Sequence, residues 1–344
     1  MKQEFAPVQQ RLMNFVRETF RPGYPYNISK LVGDASMRQY FRFETQSGQS
    51  YIMAAYPEPF DPEHFSYKQV YDLFQQAGLP VPTIIAMDGP LGIVVQEDLG
   101  NESLQRRLIN ASPQDQESLL RQSIDLILTI QSRGTEALRP DYEASKLAFD
   151  EEKLKWELEF FRKNYLINYR QVQPPDDSPL TAEFGRLATE LAACPRVLCH
   201  RDYHIRNLMF RDGQLYIIDF QDARWGPPSY DLASLLKDSI GLEEEQTRSL
   251  IDYYLERSPQ SAGFDDFQRQ FHLMCVQRLL KALGTYAYQI TVRNHYIYEQ
   301  YVEGSLRRAL ISLRALDEFP YIGEIVEKET GGEVAQADRL TAGP

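Results

Sequence analysis

Residues 197–220 constrain this chain more than any other stretch. Val197-Leu198-Cys199 is a short apolar run that leads into His200-Arg201-Asp202-Tyr203-His204-Ile205-Arg206-Asn207. Two further apolar runs follow, 208–210 and 215–218, separated by Arg211-Asp212-Gly213-Gln214, and the second ends in Asp219-Phe220. Asp-Gly between apolar runs is a hairpin signal, because glycine supplies the positive φ that a tight turn requires. The hairpin returns the chain on itself, so Asn207 and Asp219 are expected side by side, with Asp202 on the loop before them.

That order, H-R-D-x-x-x-x-N followed by a strand ending in Asp, suits phosphoryl transfer. Such a reaction asks little of a protein: a carboxylate to orient the attacking hydroxyl and take its proton, and oxygen ligands to hold Mg²⁺ against the phosphates of ATP. Asp202 is expected in the first role, Asn207 and Asp219 in the second. His200 reads as a packed loop support. Asp231 reads as a structural carboxylate that ties the loop to the helix after it. The competing reading is a zinc site, since Cys194, Cys199, His200 and His204 lie close in sequence. Against it, there is no C-x-x-C pair and no second ligand cluster.

A chain of 344 residues with 43% hydrophobic residues can bury a substantial core in one large domain or two lobes. No run reaches the roughly 18 apolar residues of a membrane span. The first residues lack the apolar segment of a signal peptide. Three cysteines make no disulfide framework. These features point to the cytoplasm. A net charge of −12 disfavours nucleic acid and anionic membrane surfaces as partners. An ATP site in so acidic a chain needs a local basic spot, which draws attention to the arginines near the motifs.

The remaining pattern supplies the framework. Residues 8–19 have amphipathic helical spacing. Residues 39–43 and 51–55 read as paired strands around Ser47-Gly48-Gln49. The turn before them, Gly33-Asp34-Ala35-Ser36, is small enough for backbone N–H groups to approach phosphate, so Ser36 is a nucleotide-binding candidate. A helix is expected over 62–77, a strand from Val81, and another over 93–96. The last runs into Glu97-Asp98-Leu99-Gly100, which is either a surface turn or a hinge whose Glu97 and Leu99 meet adenine. From Ser103 the chain becomes mainly helical. In 150–167, Leu154, Leu158, Phe161 and Tyr165 share a face. Glu157 and Glu159 lie two apart and cannot face the same way, and a solvated role is expected for each. The fold class expected is α+β, a two-lobed protein-kinase-like fold. A small N-terminal antiparallel sheet lobe (1–98) would end at the hinge, a larger, mainly helical lobe would cover 99–326, and 327–344 would form a disordered tail.

Several strings resemble the aminoglycoside phosphotransferase and choline kinase-like superfamily, and within it the bacterial anomeric amino-sugar kinases. They are Gly33-Asp-Ala-Ser-Met-Arg-Gln-Tyr-Phe-Arg42, Gln96-Glu-Asp-Leu-Gly100, Phe149-Asp150 and Trp156-Glu-Leu-Glu-Phe-Phe161, together with His200 to Met209. Ile218-Asp-Phe-Gln-Asp-Ala223, Gly226-Pro227, Tyr230-Asp-Leu232 and Gln277 to Gly284 complete the set in order. The resemblance implies an ATP-dependent kinase that phosphorylates N-acetylmuramate or N-acetylglucosamine at C1 during peptidoglycan recycling. Its partners would then be a small-molecule sugar and ATP. Two departures stand out. Tyr51-Ile-Met-Ala-Ala55 lacks the lysine of most kinase folds, as these sugar kinases tend to. Ala54 stands where they usually carry an acidic residue, and Tyr56 where they carry proline. Another cation must then steady the phosphates, and Arg38 and Arg42 are candidates, the alternative being surface salt bridges. Near the catalytic groups, Arg206, Asp222, Arg224 and Trp225 are candidates for holding the sugar, the alternatives being a surface pair for Asp222 and Arg224 and a core position for Trp225. The other functions weighed are an aminoglycoside or choline kinase, a pseudokinase and a protein kinase. The short Gly226-Pro227-Pro228 connection leaves little room for a peptide platform, which counts against the last.

Overall fold

The computed structural model describes residues 6–20, 26–31, 38–172, 179–238, 242–258 and 264–331. A five-stranded antiparallel sheet occupies the N-terminal part. Its strands are β1 (Tyr26–Lys30), β2 (Gln39–Thr45), β3 (Ser50–Ala55), β4 (Ile84–Asp88) and β5 (Ile93–Glu97), in spatial order β1-β2-β3-β5-β4. Gly48, at φ +81°, makes the turn between β2 and β3.

The two-residue period of the strands sorts the side chains between two faces. Phe41, Phe43, Met53, Ala55, Ile93 and Val95 turn to one face and pack on Leu12, Phe15 and Val16 of the helix Val8–Thr19. Tyr40, Arg42, Ile52, Ala54 and Gln96 turn to the other face and line a cleft. β1 was not expected from the sequence. It is an edge strand with four of its five residues exposed, so it lacks the apolar alternation that announces a strand.

After β5 the chain becomes helical, apart from two small ribbons. β6 (Val197–Cys199) pairs with β9 (Arg224–Gly226), and β7 (Leu208–Arg211) pairs with β8 (Gln214–Ile217). The 28-residue helix Phe264–Thr291 packs against the helices Glu151–Phe161, Ser229–Ala233 and Val302–Leu316. Gly284 allows a close approach to the first of these helices. A Cβ there would lie 2.9 Å from Phe161 Cα and 3.0 Å from Phe161 N. One continuous apolar core runs through this helical lobe and reaches Ala54 and Val94 in the sheet.

The expected tail begins too early at residue 327. Pro320–Glu329 is a helix, and Glu183 accepts from the N–H groups of Tyr321 and Ile322 at its start (3.0 and 2.9 Å). Glu327 pairs with Arg314 at 2.6 Å. The rest of the expected tail, 332–344, lies outside the described residues. Among the described residues no helix is long and apolar enough to cross a membrane.

Candidate active site

The loop that follows β6 is fixed by its own backbone. Asp231, fully buried in the first turn of the helix Ser229–Ala233, accepts from His200 N–H at 2.7 Å and from Arg201 N–H at 3.0 Å. Arg201 has φ +85°, a left-handed conformation that costs a non-glycine residue about 1–2 kcal/mol. Both oxygens of one carboxylate hold the strained peptide in place. Burial raises the Asp231 carboxyl above its ordinary range, against the pull of those hydrogen bonds and of nearby cations. His200 is buried between the rings of Phe74 and Tyr203, with Nε2 3.0 Å from the Ile218 carbonyl.

The hairpin brings Asn207 and Asp219 together. Asp212 (φ +51°) and Gly213 (φ +83°) form its two-residue turn, both with positive φ as a type I′ turn requires. Leu208 pairs with Ile217, and Ile218 N–H donates to the Asn207 carbonyl at 3.0 Å. Asn207 Nδ2 donates to the Asp202 carbonyl at 2.9 Å. That bond orients the amide and leaves Oδ1 without a hydrogen bond among the described residues. Asp219, itself at φ +63°, receives Arg38 Nη2 at 2.8 Å and Gln221 Nε2 at 3.1 Å, both on Oδ1. Its Oδ2 is free of hydrogen bonds among the described residues. One amide oxygen and one carboxylate oxygen are hard donors that suit Mg²⁺, an ion usually bound through one or two carboxylates with water and phosphate completing its shell.

Asp202 retains 27% of its side-chain exposure and lies 3.7 Å from Arg201 Nε. Burial alone would raise its carboxyl. The positive charge of Lys281, then of Arg201, outweighs burial and holds the carboxyl below the usual range. Burial lowers neighbouring His204 to about 3, so its ring is neutral at ordinary pH.

Above these groups lies a cleft of about 600 Å³, roofed by the sheet and floored by Asn207, Met209, Ile218 and Asp219. Arg38 and Arg42 both line it, but they are engaged differently. Arg42 forks onto Asp98 (2.7 and 3.1 Å) and reaches Asn101 Oδ1 at 2.8 Å, while Ser50 also donates to Asp98. Through Nε and Nη2 it clamps the turn after β5. Arg38 instead reaches across the cleft to Asp219. The Glu97 carboxylate accepts from Arg211 Nη1 at 2.8 Å and from Thr83 N–H at 3.2 Å, so it braces the turn against β7. Leu99 is buried on the cleft wall. Ser36 lies outside the described residues.

The four sugar candidates separate. Arg206 lines the cleft, with its guanidinium 6.0 Å from the Tyr301 ring. Asp222 stands between Arg201 (3.1 Å) and Arg224 (3.7 Å). Arg224 is buried on Phe149 and donates to the Asp222 carbonyl, and burial lowers its pKa. Trp225 is a framework residue. Its backbone pairs with Leu198 and accepts from Phe149 N–H, and its indole donates to the Ser145 carbonyl. Sequence reasoning missed Glu157, which is 2% exposed rather than solvated, and its partner Gln277 at 2.9 Å. It also missed Arg278, which donates to the Arg201 carbonyl at 3.0 Å, and Lys281. Their signal was available: polar residues at 277, 278 and 281 interrupt the apolar run of a long helix. Glu159 does remain partly exposed, paired with Arg162.

A sheet lobe over a helical lobe, with Asn207 and Asp219 at the base of the cleft between them and Asp202 on the adjoining loop, defines a protein-kinase-like phosphotransferase fold. A choline/ethanolamine kinase family protein from Mesorhizobium loti superposes with a TM-score of 0.60 at 14% identity, covering 95% of this chain and all of that one. The Phosphotransferase enzyme family model matches residues 27–266, and the chain belongs to that family. Among its relatives, the N-acetylmuramate/N-acetylglucosamine kinase of Neisseria meningitidis serogroup B is 32% identical over 291 residues, 81% of this chain and 83% of that protein. The protein of the same description from Pseudomonas aeruginosa is 31% identical over 283 residues, 79% and 80% of the two chains.

Proposed function

We propose that this phosphotransferase uses Mg-ATP to phosphorylate an amino sugar, N-acetylmuramate or N-acetylglucosamine, at its anomeric C1 hydroxyl. The observation that carries the reading is that Asn207 and Asp219 lie together at the base of one cleft, with Asn207 tied to the Asp202 carbonyl, in a chain about one-third identical to kinases described by those two sugars. Asp202 orients the sugar hydroxyl and accepts its proton as the bond to phosphorus forms. Its depressed pKa makes it a weak base. The anomeric hydroxyl, the most acidic on a free sugar, is the one that needs least help. Asn207 Oδ1 and Asp219 would hold Mg²⁺, which when bound neutralises charge on the phosphates. Arg38 supplies the cation that β3 lacks. Glu97, Asp98 and Leu99 border the adenine end of the cleft. The setting is the cytoplasm, where a free amino sugar released from cell wall would be returned to metabolism.

A panel assay of ADP release with Mg-ATP tests the reading. N-acetylmuramate, N-acetylglucosamine, choline and an aminoglycoside are offered separately. Turnover on either acetylated amino sugar is expected. Turnover confined to choline or the aminoglycoside contradicts it.

A further inference from the structure

Beside the catalytic loop, Gln277 Oε1 and the Tyr230 hydroxyl are fully buried and have no hydrogen-bond partner among the described residues. Arg201 Nε is in the same condition, with Asp202 only at 3.7 Å. Buried polar atoms are nearly always satisfied, so a group of them next to a reacting carboxylate marks a place where something polar binds. Glu157 is at its centre. Gln277 Nε2 donates to its carboxylate, and its charge acts on Lys153, Arg201, Arg224 and Tyr230.

The cations here are unequally employed. Arg201 is paired with Asp222 at 3.1 Å and Arg224 is bonded to the Asp222 carbonyl. Lys281 is the main positive influence on Asp202. Lys153 has neither arrangement. Among the described residues its ammonium makes no hydrogen bond; it lies 3.6 Å from Glu157 and 4.1 Å from the ring centre of Trp156, which is 55% exposed. Burial, and then the charges of Arg201, Arg224 and Lys281, oppose its protonation. The side chain is 31% exposed and therefore reachable. An ammonium set among three other cations with one loosely placed carboxylate is short of an anion.

We propose, on the basis of the amino-sugar reading above, that Lys153 receives the carboxylate of an acidic amino sugar and so sets the enzyme's preference between acidic and neutral acceptors. N-acetylmuramate carries such a carboxylate on its lactyl ether and N-acetylglucosamine does not. Glu157 opposes the same group by charge and limits the preference.

The test compares kcat/KM for the two sugars in the wild type, Lys153→Met, Lys153→Arg and Glu157→Gln. Loss of a charge-assisted hydrogen bond is worth about tenfold or more, so the muramate-to-glucosamine ratio should fall by about that factor in Lys153→Met, chiefly through KM. Lys153→Arg should restore much of it, and Glu157→Gln should move the ratio the opposite way. Calorimetry of both sugars without nucleotide reads the same preference independently of turnover. An unchanged ratio, or equal losses on both sugars, overturns the role of Lys153 while leaving the kinase reading intact. Muramate binding that depends on Lys153 in a protein that phosphorylates neither sugar supports the carboxylate site and overturns the kinase reading alone. Failure of the wild type to bind either sugar overturns the inference.

Discussion

Arg38 and Asp219, 181 residues apart, join the two lobes through an ion pair of 2.8 Å across the cleft. Tyr40 and Tyr56 flank the guanidinium, each ring centre 5.9 Å away. Burial opposes the charge of Arg38, but Tyr40 and Asp219 outweigh it and raise its pKa. The pair occupies Oδ1 of the carboxylate proposed for the metal and leaves Oδ2 for a cation, so on the proposed reading Arg38 would sit beside the metal and reach for the phosphates.

That placement predicts the behaviour of Arg38→Met. The variant loses the cation proposed for the phosphates, and KM for ATP should rise about tenfold, the worth of a charge-assisted contact. Arg38→Lys should recover part of the loss. Steady-state kinetics at saturating sugar reads both, and an unchanged KM for ATP in Arg38→Met would remove Arg38 from the nucleotide site.

For the base, Asp202→Asn should fold normally, bind ATP normally and lose at least a hundredfold in kcat, because an amide cannot take a proton. The pH dependence has a definite sign. A carboxyl whose pKa is depressed in the folded protein is ionised throughout the neutral range. It adds stability above the unfolded value of about 3.9, and that stability is lost as pH falls further. Asp202 should therefore give kcat/KM no acid limb between pH 5 and 8. A limb near pH 6.5 that disappears in Asp202→Asn would contradict the assignment.

The metal ligands differ in charge, and their variants should differ in severity. Asp219→Ala removes a charge-neutralising ligand and should abolish Mg²⁺-supported ATP binding, whereas Asn207→Ala removes a neutral one and should weaken it. Calorimetry of ATP with and without Mg²⁺ makes the comparison. Small and equal losses would count against this pair as the metal site.

Packing makes a separate prediction at Gly284. An added Cβ meets the Phe161 backbone at 2.9 and 3.0 Å and Phe160 Cδ1 at 3.0 Å, and backbone atoms cannot swing aside. Gly284→Ala should destabilise the protein by about 1–3 kcal/mol, as overpacking does, and raise KM for the sugar by spreading the helices that carry Glu157 and Gln277. Thermal unfolding checks the first effect, and a wild-type Tm would contradict the close crossing.

The sequence made legible what is local. The hairpin was written in Asp212-Gly213 and its flanking apolar runs, and it sets Asn207 beside Asp219. The supports His200 and Asp231 followed from the same short stretch. What depends on distant partners was not legible. Arg38, just before β2, and Arg42 within it fall on the same alternation and look alike in sequence. Which of them serves the hinge is decided by Asp98, and which serves the cleft by Asp219. In sequence Trp225 reads equally as a sugar-binding aromatic or a core residue, and its contacts with Leu198, Phe149 and Ser145 make it framework. Glu157 looked solvated because helical spacing gives its direction only relative to Leu154 and Leu158. Its burial comes from a helix more than a hundred residues later, whose own polar breaks at Gln277 and Lys281 become meaningful only when the two helices are packed.

The central claim is most directly tested by phosphorus NMR of the product formed from Mg-ATP and N-acetylglucosamine, alongside the same reaction with the methyl glycoside that blocks C1. The account predicts a new phosphate resonance coupled to the anomeric proton, loss of that phosphate in mild acid, and no reaction with the methyl glycoside. A phosphorylated methyl glycoside, or an acid-stable product, would place the phosphate on another hydroxyl and contradict it.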